Sequence, residues 1–290
     1  MAKLTEQYDN ETLKSLAKSH YEQKRRSKVP TEIIDLPSQG KVYSESSPLR
    51  EGKIEMRYLT ARDEDILTTP SFITEGIVFD KLLDEIIISP VKSKDLINSD
   101  KDALIIAARI LCYGSDYEVT VKAPSGKMVE RTVNLGKLKP LPFELHSNSQ
   151  GEFEYETKSG TKLLFKFPTT EKTDKITELL ASYIVAVDGE RDRSKIMEYI
   201  EYDMLAFDSR EFRNYIAKHR PGLNYEYEFE GEDGGTFTAM FPITSKLFWS
   251  WCSPSSHITQ QSFWISLVGR WTLDIEWCIW NVSSDAKILG

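Results

Sequence analysis

Asp63, Glu64 and Asp65 are three consecutive acidic residues in the stretch YLTARDEDILTTP, and carboxylates this close suit three kinds of role. They can bind a divalent cation, act as an acid and base pair, or fill the first turn of a helix. The catalytic alternative is a metal-dependent hydrolase that uses Asp63 and Asp65. The choice between these roles decides whether the chain has a candidate active site.

The residues around this acidic run favour a capped helix start. Thr60 is a good N-cap residue, and Asp63 then falls at the third helical position, where its carboxylate can reach the backbone N–H of the cap. The helix dipole stabilises negative charge in the first turn. Consecutive helical residues point about 100° apart, so three adjacent carboxylates cannot all face one metal ion. We therefore predict a short helix with Ile66 and Leu67 on its apolar side.

Other motifs offer weaker chemistry. The stretch APSGK (residues 123–127) ends in Gly-Lys, but it lacks the first glycine and the final Ser or Thr of a phosphate loop, and it lies between two alternating stretches. In YEYEFE, alternation places Glu226, Glu228 and Glu230 on one face of a strand, which is typical of a solvated surface. The four histidines and three cysteines have no zinc-ligand spacing. We therefore predict no catalytic residue, cofactor or metal.

Composition limits the class of protein. The 290 residues carry a net charge of −8, with 40% hydrophobic and 28% charged residues, which is typical of a folded globular chain. The negative charge disfavours a nucleic-acid binder and a protein that docks on an anionic membrane. No run approaches the roughly 18 apolar residues that span a bilayer. The odd, scattered cysteines favour a reducing compartment.

Hydrophobic periodicity predicts an α+β fold: a helical N-terminal part with three β-hairpins, a second helical segment and a Trp-rich C-terminal tail. In VPTEIIDLPSQGKVY we expect no regular element, because Pro30, Pro37 and Gly40 interrupt it. In TDKITELLASYIVAVDG we expect a helix. Two N-caps are also predicted: Ser99 or Asp100 for the helix before Gly114, and Asp208 for the last helix.

These patterns divide the chain into six segments. They are a basic N-terminal arm (1–28), a mainly helical region (29–115), two β-hairpins (116–170), a second helical region (171–222), a third β-hairpin (223–244) and an aromatic tail (245–290). The arm is basic through Lys24, Arg25, Arg26 and Lys28, and is either a solvated helix or a segment that docks on an acidic neighbour. The tail holds all six tryptophans and is either an aromatic core layer or a partner surface.

Several blocks of sequence occur in an order typical of one protein family. They read LPSQGKVY, YLTARDEDIL, LINSDKDALIIAARILCYGSDYEV, FDSREFRNYIAKHRPGLNYEYEF and LFWSW. This succession resembles the baseplate hub proteins of T-even-type contractile-tailed bacteriophages, the gene 26 product type. The matching residues are Leu36, Pro37, Ser38, Gly40 and Tyr43; then Leu59, Thr60, Asp63, Glu64, Asp65 and Leu67; then Asp100, Ala103, Leu104, Arg109, Tyr113 and Gly114.

The resemblance implies a structural or assembly role in the virion, at the tail baseplate, with assembly in the host cytoplasm. The implied partners are the tail hub, the central spike and the tape-measure protein, with several copies per particle and no catalysis. An assembly chaperone that leaves before the tail is complete is the alternative. The residues expected at protein interfaces are Leu36, Pro37, Gly40, Tyr43, Phe248, Trp249, Trp251, Trp264 and Trp271.

One departure from the family is visible at the hairpin tips. Many relatives carry Cys-x-x-Cys knuckles there, which suit a structural zinc ion. The corresponding tips in this chain read APSGK and EGEDGG, without cysteine. If these hairpins form, turn chemistry and packing must hold them.

Overall fold

The computed structural model describes residues 29–170, 173, 175–231, 235–241 and 247–248. The N-terminal arm and the aromatic tail from residue 249 onward lie outside these residues. The strands are β1 (Thr31–Asp35), β2 (Lys53–Arg57), β3 (Asp116–Lys122), β4 (Met128–Asn134), β5 (Phe153–Glu156), β6 (Lys162–Phe165), β7 (Ile184–Val187), β8 (Glu226–Glu230) and β9 (Thr236–Met240).

Seven α-helices accompany the strands in the described part of the chain. They are α1 (Ala61–Thr68), α2 (Pro70–Thr74), α3 (Val78–Ile86), α4 (Asn98–Tyr113), α5 (Ile176–Tyr183), α6 (Arg193–Glu198) and α7 (Ala206–His219). Short 3-10 turns occur at Pro48–Glu51, Ser93–Asp95 and Leu135–Lys137, and a π-helical turn occurs at Tyr199–Asp203. The predicted α+β class is confirmed.

Every strand pairing is antiparallel. β1 pairs with β2, β3 with β4 and β8 with β9, while β5, β6 and β7 form one three-stranded sheet. The three predicted hairpins are confirmed as β3–β4, β5–β6 and β8–β9. The tip of β3–β4 closes without metal ligands, because Gly126 adopts φ +84° and its N–H donates to the carbonyl of Ala123 at 2.8 Å.

Two sequence expectations about secondary structure are wrong. A strand, β1, lies between Pro30 and Pro37, because the prolines flank the ladder and a residue before proline favours extended backbone. The predicted helix at TDKITELLASYIVAVDG ends at Tyr183, and its last part is strand β7. The β-branched residues Ile184, Val185 and Val187 favour a strand, and the edge of β6 supplies the pairing.

The apolar core has two dense regions. Leu82, Leu83 and Ile86 of α3 are fully buried and pack in one cluster with Leu104 of α4. The second region consists of aromatic rings whose centroids lie 5.4–6.0 Å apart: Phe143, Phe153, Phe165, Phe167 and Phe212. Contacts of this kind fix the sheet of β5, β6 and β7 against α7.

The turn at residues 36–43 makes unusually close backbone contacts. A Cβ on Gly40 would lie 2.3 Å from the carbonyl oxygen of Arg50, and a Cβ on Gly52 would lie 2.7 Å from the carbonyl carbon of Gln39. Both glycines adopt positive φ, +74° and +69°. The Leu36 N–H donates to the Gly52 carbonyl at 2.8 Å. Only glycine allows two backbones to meet this closely.

Gly40→Ala should lower the free energy of unfolding by roughly 2–5 kcal/mol, because left-handed strain adds to a steric clash with backbone. Gly126→Ala is the matched control, since Gly126 has φ +84° but nothing within 4 Å of the added Cβ. This control should cost about 1–2 kcal/mol from strain alone. Urea denaturation measures the free energy of unfolding of both variants. An equal decrease in the two would contradict the close contact at Gly40.

Candidate functional site

Asp63 lies at the third position of α1 and is completely buried. Its Oδ2 accepts hydrogen bonds from the Thr60 backbone N–H at 2.7 Å and from the Thr60 hydroxyl at 2.9 Å. The predicted capping is therefore confirmed, because the Asp63 carboxylate accepts a hydrogen bond from the backbone N–H of the N-cap residue Thr60. The Thr60 hydroxyl adds a donor to the same oxygen.

The same carboxylate forms a buried ion pair with Arg57 of β2. Arg57 Nη1 donates to Asp63 Oδ2 at 2.6 Å and Nη2 donates to Oδ1 at 2.9 Å, while Glu85 lies 3.6 Å from the guanidinium. Burial alone would raise the pKa of Asp63, but the hydrogen bonds from Arg57 and Thr60 outweigh it and lower the pKa. Both oxygens of Asp63 accept hydrogen bonds, and the guanidinium of Arg57 lies where a metal ion bound to this carboxylate would lie.

The other two carboxylates point elsewhere. Glu64 is exposed, and its Oε1 accepts from the Tyr113 hydroxyl at 2.7 Å. Asp65 is exposed, and its backbone carbonyl accepts from the hydroxyl of Thr69 at 2.6 Å. Within the ranges that the structure describes, no three His, Cys, Asp or Glu residues are grouped to hold a metal ion. The acidic run is thus a helix start whose three carboxylates diverge.

An open pocket of about 250 Å³ adjoins this helix start, between the segments 58–64 and 111–113. Cys112 lines it, and its Sγ accepts from the Leu59 N–H at 3.2 Å. Burial raises the pKa of the Cys112 thiol, which therefore stays protonated and weakly nucleophilic near neutral pH. The pocket offers a thiol, two tyrosines and one carboxylate, but no activated nucleophile.

Asp100 is the second buried carboxylate and joins two distant blocks of sequence. Its oxygens accept from the Ser38 N–H at 3.1 Å, the Ser38 hydroxyl at 2.7 Å and the Tyr43 hydroxyl at 2.6 Å. Burial raises the pKa of Asp100 although these hydrogen bonds oppose the rise. Tyr43 Oη in turn accepts from the Ile97 N–H at 3.1 Å, and the pKa of Tyr43 is raised by burial and by Asp100.

This network corrects the predicted caps of two helices. α4 begins at Asn98 with Ile97 as its N-cap, so neither Ser99 nor Asp100 caps it, and the tyrosine hydroxyl satisfies the Ile97 N–H instead. α7 begins at Ala206 with Leu205 as its N-cap. Asp208 is therefore not the cap. It lies buried at the third position of α7 and accepts from the Lys158 N–H at 3.1 Å.

Four of the residues predicted at interfaces lie inside this chain. Leu36, Pro37, Gly40 and Tyr43 are all buried in the 36–43 turn, where they contact the chain's own loops and α4. Their contacts account for a structural role within the subunit. Their role at a partner interface remains a prediction, and Trp249, Trp251, Trp264 and Trp271 lie beyond the described residues.

Arg109 fixes the position at which the aromatic tail begins. Its Nε donates to the Leu247 carbonyl at 2.6 Å, Nη1 to the Gly114 carbonyl at 2.6 Å and Nη2 to the Asp116 carbonyl at 3.1 Å. Burial lowers the pKa of Arg109. Phe248, also predicted at an interface, is 5% exposed and packs against Tyr113 with ring centroids 6.1 Å apart.

Comparison with known proteins gives one match. Residues 29–236 match the family described as T4 bacteriophage base plate protein, and this range covers more than half of the chain. This chain belongs to that family. No curated protein and no solved structure matches it. The baseplate resemblance is confirmed at the level of the family, which indicates a structural component of a phage tail.

The sequence blocks on which the resemblance rested are connected in the fold by the contacts described above. The hydroxyls of the first block bind Asp100 of the third, and the second block places Leu59 and Glu64 against Cys112 and Tyr113 of the third. Arg57, the partner of Asp63, lies outside the blocks, and no local signal in the sequence marks it. Across the ranges that the structure describes, no helix is long and apolar enough to cross a membrane.

Asp63→Asn should destabilise the protein by roughly 3–5 kcal/mol, because it removes the charge that compensates buried Arg57. Asp65→Asn is the matched control in the same helix and should change stability little, since this side chain is exposed. Chemical denaturation of both variants gives the comparison. A small loss for Asp63→Asn would show that the ion pair does not hold α1 on β2.

The buried acids Asp63 and Asp100 should give opposite pH dependences. Because the folded pKa of Asp63 is lowered, its contribution is present above the unfolded pKa of about 3.9 and is lost as pH falls toward the folded value. Because the folded pKa of Asp100 is raised, wild type loses stability as pH rises from about 3.9 through the folded value.

Unfolding free energies of wild type, Asp63→Asn and Asp100→Asn measured across the acid range separate these effects. As pH falls, the advantage of wild type over Asp63→Asn should shrink, whereas its stability relative to Asp100→Asn should increase. Parallel curves for the two variants would contradict the assigned pKa directions.

Proposed function

We propose that this protein is a structural or assembly component of the tail baseplate hub. It would contact hub, central spike or tape-measure proteins, be present in several copies, and act through binding without catalysis. The observation that carries the proposal is the match of residues 29–236 to the base plate family. The order of the sequence blocks supports the hub type within that family. The use of Asp63 and Asp100 as internal structural groups agrees with a binding role.

An exposed apolar surface gives this proposal a specific location. Tyr202, Leu205 and Phe207 are 77%, 61% and 44% exposed, and they lie within six residues where the π-helical turn passes into α7. We call these three residues the α7 surface. Lys158 lies over the ring of Phe207, with Nζ 4.5 Å from its centroid. Exposed aromatic and apolar groups beside a cation are typical of sites where proteins meet.

The aromatic tail is the second proposed contact region. Its four predicted contact residues, Trp249, Trp251, Trp264 and Trp271, all follow the anchored Phe248 in the sequence, and Trp249 is its immediate neighbour. Tryptophan is enriched at the energetic centre of interfaces because a large ring is buried at low entropic cost. This arrangement favours a tail that starts at a fixed point and reaches a neighbouring baseplate subunit.

Mass spectrometry of purified virions tests the structural role. A hub subunit should be found in mature particles at a constant ratio to other baseplate proteins, and a particle assembled without it should lack a complete hub. If the chain occurs in assembling tails but is absent from mature particles, the assembly-factor form of the proposal applies. Absence from both would overturn the proposal.

Replacing the α7 surface should weaken binding to a purified hub or tape-measure protein without changing the fold. The triple variant Tyr202→Ser, Leu205→Ser and Phe207→Ser removes three exposed apolar groups, so we expect at least a tenfold loss of affinity, about 1.4 kcal/mol. Met128→Ser with Ile176→Ser is the control, because both residues are exposed apolar groups elsewhere. Equal binding by the triple variant and the control would exclude this surface.

A further inference from the structure

Strand β1 has a free edge in the described part of the chain. At one end of the ladder the Tyr58 N–H donates to the Pro30 carbonyl, and at the other end the Leu36 N–H donates to the Gly52 carbonyl. In an antiparallel pair only every second residue directs its backbone N–H and C=O toward the partner strand, and Pro30 and Leu36 belong to that set. The backbone groups of Thr31, Ile33 and Asp35 therefore point away from β2. A free row of such groups is a template for another strand.

The side chains on this edge indicate which strand would fit. Glu32 and Asp35 are exposed carboxylates, and the contact of Asp35 with Lys53, at 3.7 Å, is solvent-exposed and weak. Ile33 is 64% exposed and lies on the same face of β1 as Asp35, where it provides an apolar contact, while Glu32 lies on the opposite face. The edge therefore matches an extended segment that is rich in cations.

The chain itself contains such a segment. Gln23–Lys28 reads QKRRSK, with four cations and no acid in six residues, and it is the densest basic run in the sequence. The protein as a whole carries a net charge of −8, so this run is complementary to the acidic edge. Basic residues of this kind also prevent the segment from pairing with itself.

The connection to β1 disfavours pairing within one chain. Only Val29 and Pro30 separate the segment from β1, and a two-residue hairpin turn needs positive φ at its first residue, which β-branched valine strongly disfavours. Pro30 already continues the ladder, since its carbonyl accepts from Tyr58 at 3.0 Å. A longer loop would place Ser27 and Lys28 in the turn and leave fewer cations beside the edge.

We propose that the Gln23–Lys28 segment of a second copy of this chain adds as a strand to the free edge of β1. The donor segment and the acceptor edge are different surfaces, so the contact is either reciprocal in a two-fold pair or successive around a ring. This self-association goes beyond the proposed baseplate role and does not depend on it.

Sedimentation equilibrium of the full chain tests the proposal, and wild type should associate reversibly. Ile33→Pro removes an N–H that points outward while leaving the β2 ladder intact, and should weaken association roughly tenfold or more. Ile33→Ala, which keeps that N–H, should weaken it less. A wild type that is monomeric at all concentrations, or equal effects of the two variants, would overturn the proposal.

A charge exchange gives a second test that does not depend on a proline substitution. Chains with Glu32→Lys and Asp35→Lys should fail to self-associate, and so should chains with Lys24→Glu, Arg25→Glu and Arg26→Glu. A mixture of the two should associate, because the acidic segment of one then meets the basic edge of the other. If the mixture remains monomeric, or if either variant alone associates as wild type does, the pairing is wrong.

Discussion

The carboxylate of Asp100 is the contact on which the first half of the structure depends. It binds the backbone and hydroxyl of Ser38 and the hydroxyl of Tyr43, and Tyr43 accepts the Ile97 N–H at the start of α4. One buried group thus fixes both the 36–43 turn and the beginning of α4, the longest helix among the described residues. The close approach of Gly40 to Arg50 depends on this turn being held in place.

The buried acids are compensated in different ways. Asp63 faces a guanidinium, and Glu152 does too: Arg191 donates to it at 2.7 and 2.8 Å, which lowers the pKa of Glu152 to about 2. Asp100 has only N–H and O–H donors, so burial dominates and its pKa rises. The Arg57–Asp63 pair joins β2 to α1, and the Arg191–Glu152 pair joins two segments outside the regular elements, whereas the 36–43 turn is held by uncharged N–H and O–H donors.

The sequence predicted features that depend on neighbours along the chain. Thr60 and Asp63 are three residues apart, so their capping contact follows from helix geometry alone, and the hairpin at Gly126 follows from turn chemistry. β1 and β7 were missed because their partners, β2 and β6, supply the pairing from elsewhere. The capping role assigned to Asp100 failed because Ser38 and Tyr43, far away in sequence, compete for the same carboxylate.

The interface residues show the same limit. Leu36 and Tyr43 occur in a block on which the sequence resemblance rested, yet their side chains are buried in their own subunit, while Tyr202 and Leu205 are exposed outside any such block. A pattern in one sequence identifies residues that matter, but burial decides whether they act within the subunit or at its surface. Arg57, the partner of Asp63, was equally hidden, because a buried ion pair has no local spacing rule when one residue lies on a strand.

The position of Leu247 has a consequence for the time at which the molecule is completed during synthesis. Arg109 Nε and the Leu247 carbonyl are 138 residues apart, so this hydrogen bond can form only after residue 247 has left the ribosome, whereas the bonds to Gly114 and Asp116 are local. The helices and hairpins can form before that contact exists. The hydrogen bond from Arg109 to Leu247 is therefore a late step, and it fixes the start of the aromatic tail after the local partners of Arg109, Gly114 and Asp116, have been made.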